Sequence, residues 1–136
     1  MSELFYAVAK YVVYTLWCWA GLRAFAPAQA SLVRALKYGA LRWLLGLGFG
    51  LAAGIALGSV SRESVTVLYF NVYTPLRVVE WLVMAVAMHR EGSIAAVFRN
   101  PWVWLWILGG IAVSFASDLA SPEGMAGRFC VGRCLC

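Results

Sequence analysis

Long apolar runs constrain this chain more than any motif does. Residues 3–25, 41–60, 65–88 and 101–118 form four such runs. Each is close to the about 20 residues that a helix rising about 1.5 Å per residue needs to cross a hydrocarbon layer. Pro27 should end the first run, because the residue before a proline is driven out of helical geometry. Asn100-Pro101 opens the fourth with a side-chain acceptor at the cap and a proline in the first turn, where its missing N–H costs nothing. Only 12% of the 136 residues are charged, against about 25% in a soluble domain, so polar side chains are too few to cover a water-facing surface. The expected class is all-α: a polytopic membrane protein, a compact four-transmembrane-helix bundle. It would form a single domain over residues 1–136, with a short Cys-containing tail at 119–136. Its first partner is then the lipid bilayer, and the net charge of +5 needs no nucleic acid to explain it.

The opening "MSELFYAVAK" is acidic before basic, and no small-x-small cleavage site follows it, so the first run reads as a span and not as a signal peptide. Between the first two runs, "SLVRALKYGALRW" offers Ser31 as a helix cap, with Arg34 and Lys37 on one side. This predicts a short interfacial amphipathic helix running into the second span; a plain basic juxtamembrane loop is the alternative. The first and third connections with their flanks hold six cations (Arg23, Arg34, Lys37, Arg42, Arg90, Arg99) and the opposite side four (Lys10, Arg62, Arg128, Arg133). By the positive-inside rule both termini are expected outside the cytoplasm. Trp17, Trp19, Trp43, Trp102, Trp104 and Trp106 suit interfaces, whereas Trp81 falls deep in the third run.

Gly46, Gly50, Gly54 and Gly58 recur every four residues in "GLGFGLAAGIALG", and Gly48, Ala52 and Ala56 form a second stripe at the same spacing. Stripes without side chains let another helix backbone approach closely. They are expected to pack helices, either within the chain or across a homo-oligomer or partner-subunit seam.

The third run interrupts its apolar character with "NVYTPLRVVEW", residues 71 to 81. At about 100° per residue, Tyr73, Arg77, Glu80 and Met84 share one face. An arginine at mid-membrane costs about 2.5–3.5 kcal/mol on insertion scales, so its guanidinium must meet acceptors. Glu80 is the nearest carboxylate, and Tyr73, Asn71 and Thr74 are further candidates. Pro75 removes one helical donor and should break or kink the helix. Ionisable residues at such depth point to a ligand or ion site, with a closed structural network as the alternative.

The stretch "RVVEWL" resembles the third-helix Arg-x-x-Asp/Glu-Trp-Leu pattern of microbial rhodopsins, in which the acid is a Schiff-base counter-ion. The chain has four runs instead of seven, and its lysines, Lys10 and Lys37, lie outside any late helix that would carry retinal. The likeness therefore implies no cofactor.

Lys10 is expected to snorkel to the headgroups or to pair with Glu3, Asp118 or Glu123. His89 reads as a charge partner for a helix C-terminus, and Cys18 as an apolar filler. In the tail, Cys130, Cys134 and Cys136 allow a disulfide, metal thiolates, or free or lipid-modified thiols. No nucleotide-binding, nucleophile-elbow or zinc-protease pattern occurs, and no metal site or catalytic residue is assigned. The leading expectation is transport or conduction of a small anionic or proton-coupled solute. Alternatives are an accessory subunit of a larger membrane assembly, and a lipid-modifying enzyme using Glu80 or His89 with Arg77.

Overall fold

A helix needs its first N–H groups met by acceptors, and Ser31, Ser93 and Asn100 meet this need at three helix starts. A computed structural model describes residues 3–57, 65–89 and 93–121. Helix α1 spans Glu3–Phe25 and stops two residues short of Pro27, where a single 3₁₀ turn, Pro27–Gln29, reverses the chain. Helix α2, Leu32–Leu57, starts behind Ser31, whose Oγ accepts from the Arg34 N–H at 3.2 Å. Arg34 also donates to Gln29 Oε1 at 2.6 Å, fastening the turn to the helix. Helix α3 covers Val65–Met88. A one-and-a-half-turn helix α4, Ile94–Arg99, is capped by Ser93, and Asn100 ends it while capping α5, Pro101–Leu119, through the Trp102 N–H at 3.0 Å.

The stretch behind Ser31 runs into the second run as one continuous helix, as expected, because nothing between Leu32 and Leu57 breaks it. The expected break at Pro75 is not an interruption, since α3 continues through it. Helix α4 was not anticipated; its six residues are too few to show a periodic pattern.

The described residues are all-helical, and the long helices close a ring in which α1 meets α2, α2 meets α3, α3 meets α5 and α5 returns to α1. Four spans were expected; two helices, over Leu32–Ala56 and Pro101–Leu119, are long and apolar enough to cross a membrane. The α1–α2 seam is the tightest. A Cβ on Gly39 would lie 2.9 Å from Thr15 Cα, so backbone rests directly on backbone. Tyr11 reaches across the same seam to the Leu36 carbonyl at 3.2 Å, and Tyr38 joins α2 to α3 through the Ala87 carbonyl at 3.0 Å. Between α1 and α5, Trp17 Nε1 donates to the Trp106 carbonyl at 3.1 Å and Trp106 Nε1 donates back to the Trp17 carbonyl at 2.9 Å. Indoles are seated on glycines throughout: Trp106 on Gly21, Trp17 on Gly109 and Trp81 on Gly110.

The apolar core gathers Tyr14, Cys18, Leu22, Trp81, Met84, Met88, Val103, Trp106 and Ile107. The outer surface is equally apolar. Leu4, Val8, Val12 and Leu16 on α1, Leu44, Leu51 and Ile55 on α2, Val79 and Val83 on α3, and Leu105 and Leu108 on α5 are all exposed. Five charged side chains, Lys10, Arg42, Arg77, Glu80 and Asp118, lie inside, while Arg23, Arg34, Lys37 and Arg99 stay exposed.

Candidate functional site

One polar stripe on each long helix faces the bundle axis. On α3 it is Tyr69, Tyr73, Arg77 and Glu80; on α1, Tyr6, Lys10 and Tyr14; on α5, Gly110, Ser114 and Asp118; on α2, Arg42 with Gly46 one turn on. Their side chains join into a ladder of ion pairs. Lys10 Nζ lies 2.5 Å from Asp118 Oδ1, and Arg77 Nη2 lies 2.7 Å from Asp118 Oδ2. Arg77 Nη1 then meets Glu80 Oε2 at 3.1 Å, and Arg42 Nη2 meets the same oxygen at 2.6 Å. None of the five side chains is more than 9% exposed. Burial of a charge is tolerated only with such pairing.

Neutral groups complete the shell. Tyr69 donates to Asp118 Oδ2 at 2.5 Å and Tyr6 to Asp118 Oδ1 at 3.4 Å, while Lys10 donates to the Tyr6 hydroxyl at 3.3 Å. At the other end Ser114 Oγ accepts from Arg42 Nη2 and from Trp81 Nε1, both at 3.1 Å, and donates to the Gly110 carbonyl at 2.9 Å. The Arg42 guanidinium sits between two rings, 4.7 Å from the centroid of Tyr14 and 5.0 Å from that of Trp81, a cation–π arrangement. Arg77 lies 5.6 Å from the Tyr73 centroid, and the Tyr73 ring lies tilted against Tyr69 with centroids 4.8 Å apart.

Among the described residues the ladder joins three cations, Lys10, Arg42 and Arg77, to two carboxylates, Glu80 and Asp118. In addition, Arg42 Nε and Nη1, Arg77 Nε, the Tyr14 hydroxyl and Thr15 Oγ1 are buried without a hydrogen-bond partner.

The structure thus brings Tyr73, Arg77 and Glu80 together. It does not bring Asn71 or Thr74 to them: both are exposed, Asn71 about half a turn and Thr74 about a third of a turn round α3 from the inward stripe. Pro75 is likewise exposed. Lys10 does not snorkel; it pairs with Asp118. Arg42, counted above as a headgroup residue, is fully buried. Gly46, expected to receive a helix backbone, receives arginines: a Cβ there would lie 3.3 Å from Arg42 Nη1 and 3.8 Å from Arg77 Nη1. Gly50 is buried and Gly54 half-buried, whereas Gly58, Cys130, Cys134 and Cys136 fall outside the described residues. His89 lies with Nδ1 2.8 Å from the Ala85 carbonyl and its ring stacked 4.5 Å from Phe25, at the mouth of a cavity of about 320 Å³ away from the ladder.

Asp118, Arg42, Ser114, Tyr69 and Tyr6 were not assigned to the site from sequence. Spacings of four, Gly110–Ser114–Asp118, Tyr6–Lys10 and Tyr69–Tyr73–Arg77, are the signal for Asp118, Ser114, Tyr6 and Tyr69. No protein-family model, curated protein or solved structure matches this chain.

Proposed function

We propose that the chain is a small integral membrane protein whose four long helices cross the bilayer, and that it moves a small anionic or proton-coupled solute through the Lys10–Asp118–Arg77–Glu80–Arg42 ladder. The observation that carries this is the ladder itself: five ionisable side chains drawn from all four long helices, buried along one axis inside an apolar exterior. In a water-soluble protein that distribution would be reversed. In lipid, ionisable residues face the interior of a bundle and mark solute or proton pathways. With Lys10 and Arg42 assigned to the interior, the headgroup cations are five on the connection side (Arg23, Arg34, Lys37, Arg90, Arg99) against three opposite (Arg62, Arg128, Arg133), which still favours termini outside the cytoplasm.

The test is flux in proteoliposomes. An Arg77→Gln, Glu80→Leu variant that elutes as a folded protein should lose at least about tenfold in rate, equivalent to about 1.4 kcal/mol of barrier. A folded variant with unchanged flux refutes the proposal.

A second reading, as a homo-oligomer or an accessory subunit, draws on α2. Gly48, Ala52 and Ala56 lie exposed along one stripe, and a Cβ on Gly48 would meet nothing within 4 Å. Such a surface admits another helix. Gly48→Leu should then convert a larger species to the monomer on native gels; the same mobility before and after removes this reading.

A further inference from the structure

We propose that the cavity between the α1–α2 turn and the end of α3 seats the headgroup of one anionic phospholipid. The proposal rests on the membrane reading above and is independent of transport through the ladder.

Shape comes first. The turn Pro27–Gln29 carries the chain from α1 to α2 and, with the last residues of α3, encloses a hollow of about 320 Å³. Phe25, Pro27 and Met88 supply apolar wall, and Gln29 and His89 supply the polar part. Small-molecule sites run from about 300 to 1,000 Å³. The hollow therefore takes the glycerophosphate part of a single lipid and leaves the acyl chains to the apolar exterior.

The chemistry of the wall comes second. Gln29 Oε1 already accepts from Arg34 Nη1 at 2.6 Å, so the side chain has its amide N–H groups left to offer. His89 Nδ1 lies 2.8 Å from the Ala85 carbonyl. A carbonyl only accepts, so the proton sits on Nδ1, and Nε2 is the ring atom left for a ligand. Phe25, stacked on the imidazole at 4.5 Å with the planes 15° apart, holds the ring in place. Against an anionic oxygen the imidazolium, in which both nitrogens donate, is the favoured form.

Charge comes third and decides the occupant. Arg23, Arg34, Lys37 and Arg99 are exposed at this end of the bundle. Residues 19–41 and 85–106 hold five lysines and arginines, with Arg90 the fifth, against one carboxylate, Glu91. Basic pockets at the cytoplasmic ends of membrane helices bind anionic headgroups. An apolar wall beneath a cationic rim fits an anionic amphiphile better than a free hydrated anion.

The experiment uses the full chain purified in a non-ionic detergent. Its thermal unfolding is followed as phosphatidylglycerol is added to the micelles, with phosphatidylcholine as the zwitterionic counterpart. Phosphatidylglycerol should raise the midpoint by about 5 °C and saturate, because a ligand of the folded state stabilises it by mass action. Phosphatidylcholine, and inorganic phosphate at equal ionic strength, should give no such rise. Ala28→Trp places an indole in the hollow and leaves every charge in place. It should move the phosphatidylglycerol dependence at least about tenfold to higher concentration. Arg34→Gln should move it about fivefold, the share of one cation near an anionic surface. Equal midpoints in the two lipids overturn the site even if both variants fail to fold. So does an unshifted dependence in a folded Ala28→Trp protein, which would assign the effect to attraction along the surface. A rise with inorganic phosphate equal to that with phosphatidylglycerol overturns the lipid as occupant. Failure here is separable from failure of the membrane reading. A chain that stays in vesicles through alkaline carbonate extraction but shows no lipid preference keeps the membrane reading and loses the site; release by carbonate removes both.

Discussion

Asp118→Asn is expected to cost about 3–5 kcal/mol of stability, the largest loss from any single change in the ladder. The carboxylate is met by Lys10, Arg77, Tyr69 and Tyr6 at once. Neutralising it leaves two buried cations facing one amide. Lys10→Met removes a partner at the edge of the same cluster, and Asp118 then still holds Arg77 and both tyrosines, so its cost should be clearly smaller, about 1–2 kcal/mol. Unfolding of the purified proteins in mixed micelles measures both. Should Lys10→Met prove as damaging as Asp118→Asn, Asp118 is not the node that the geometry makes it.

The second large effect lies on the α1–α2 seam, away from any charge. Gly39→Leu would drive its first side-chain carbon to 2.9 Å from Thr15 Cα, a main-chain atom that cannot swing aside. The two helices must separate, and the expected loss is about 3 kcal/mol, at the upper end for overpacking. Gly48→Leu supplies the control on the same helix. Its position opens onto empty space, so the monomer's stability should stay within about 0.5 kcal/mol of the parent. Equal behaviour of the two variants in the same melt would show that α1 and α2 do not touch at Gly39.

Much of this was legible beforehand. Length, apolarity and two prolines placed α1, α3 and α5 almost to the residue, because helix ends obey local rules. The shared face of Tyr73, Arg77 and Glu80 followed from helical periodicity alone. Arg42 was misread because a cation just ahead of "WLLGLGFGL" has the pattern of a headgroup contact. Arg42 lies ten residues into α2, about 15 Å along the helix from Leu32. Asp118 was offered as one of three partners for Lys10, and that pair forms, but its link to Arg77, 41 residues away, was not foreseen. Spacing within one helix reports which face a residue occupies, not which other helix that face meets. Gly46 itself departs from its reading for the same reason: a missing side chain announces close approach, and only the neighbour decides whether backbone or guanidinium fills the space.

Ribosomal synthesis delivers the ladder in a fixed order. Lys10, Arg42, Arg77 and Glu80 all emerge before Asp118. A nascent intermediate of α1 to α3 in a bilayer would hold three cations against one carboxylate, which is unfavourable in hydrocarbon. On the proposed four-span reading, α5 would bring the carboxylate that Lys10 and Arg77 need, so assembly of the ladder would be completed last by that helix.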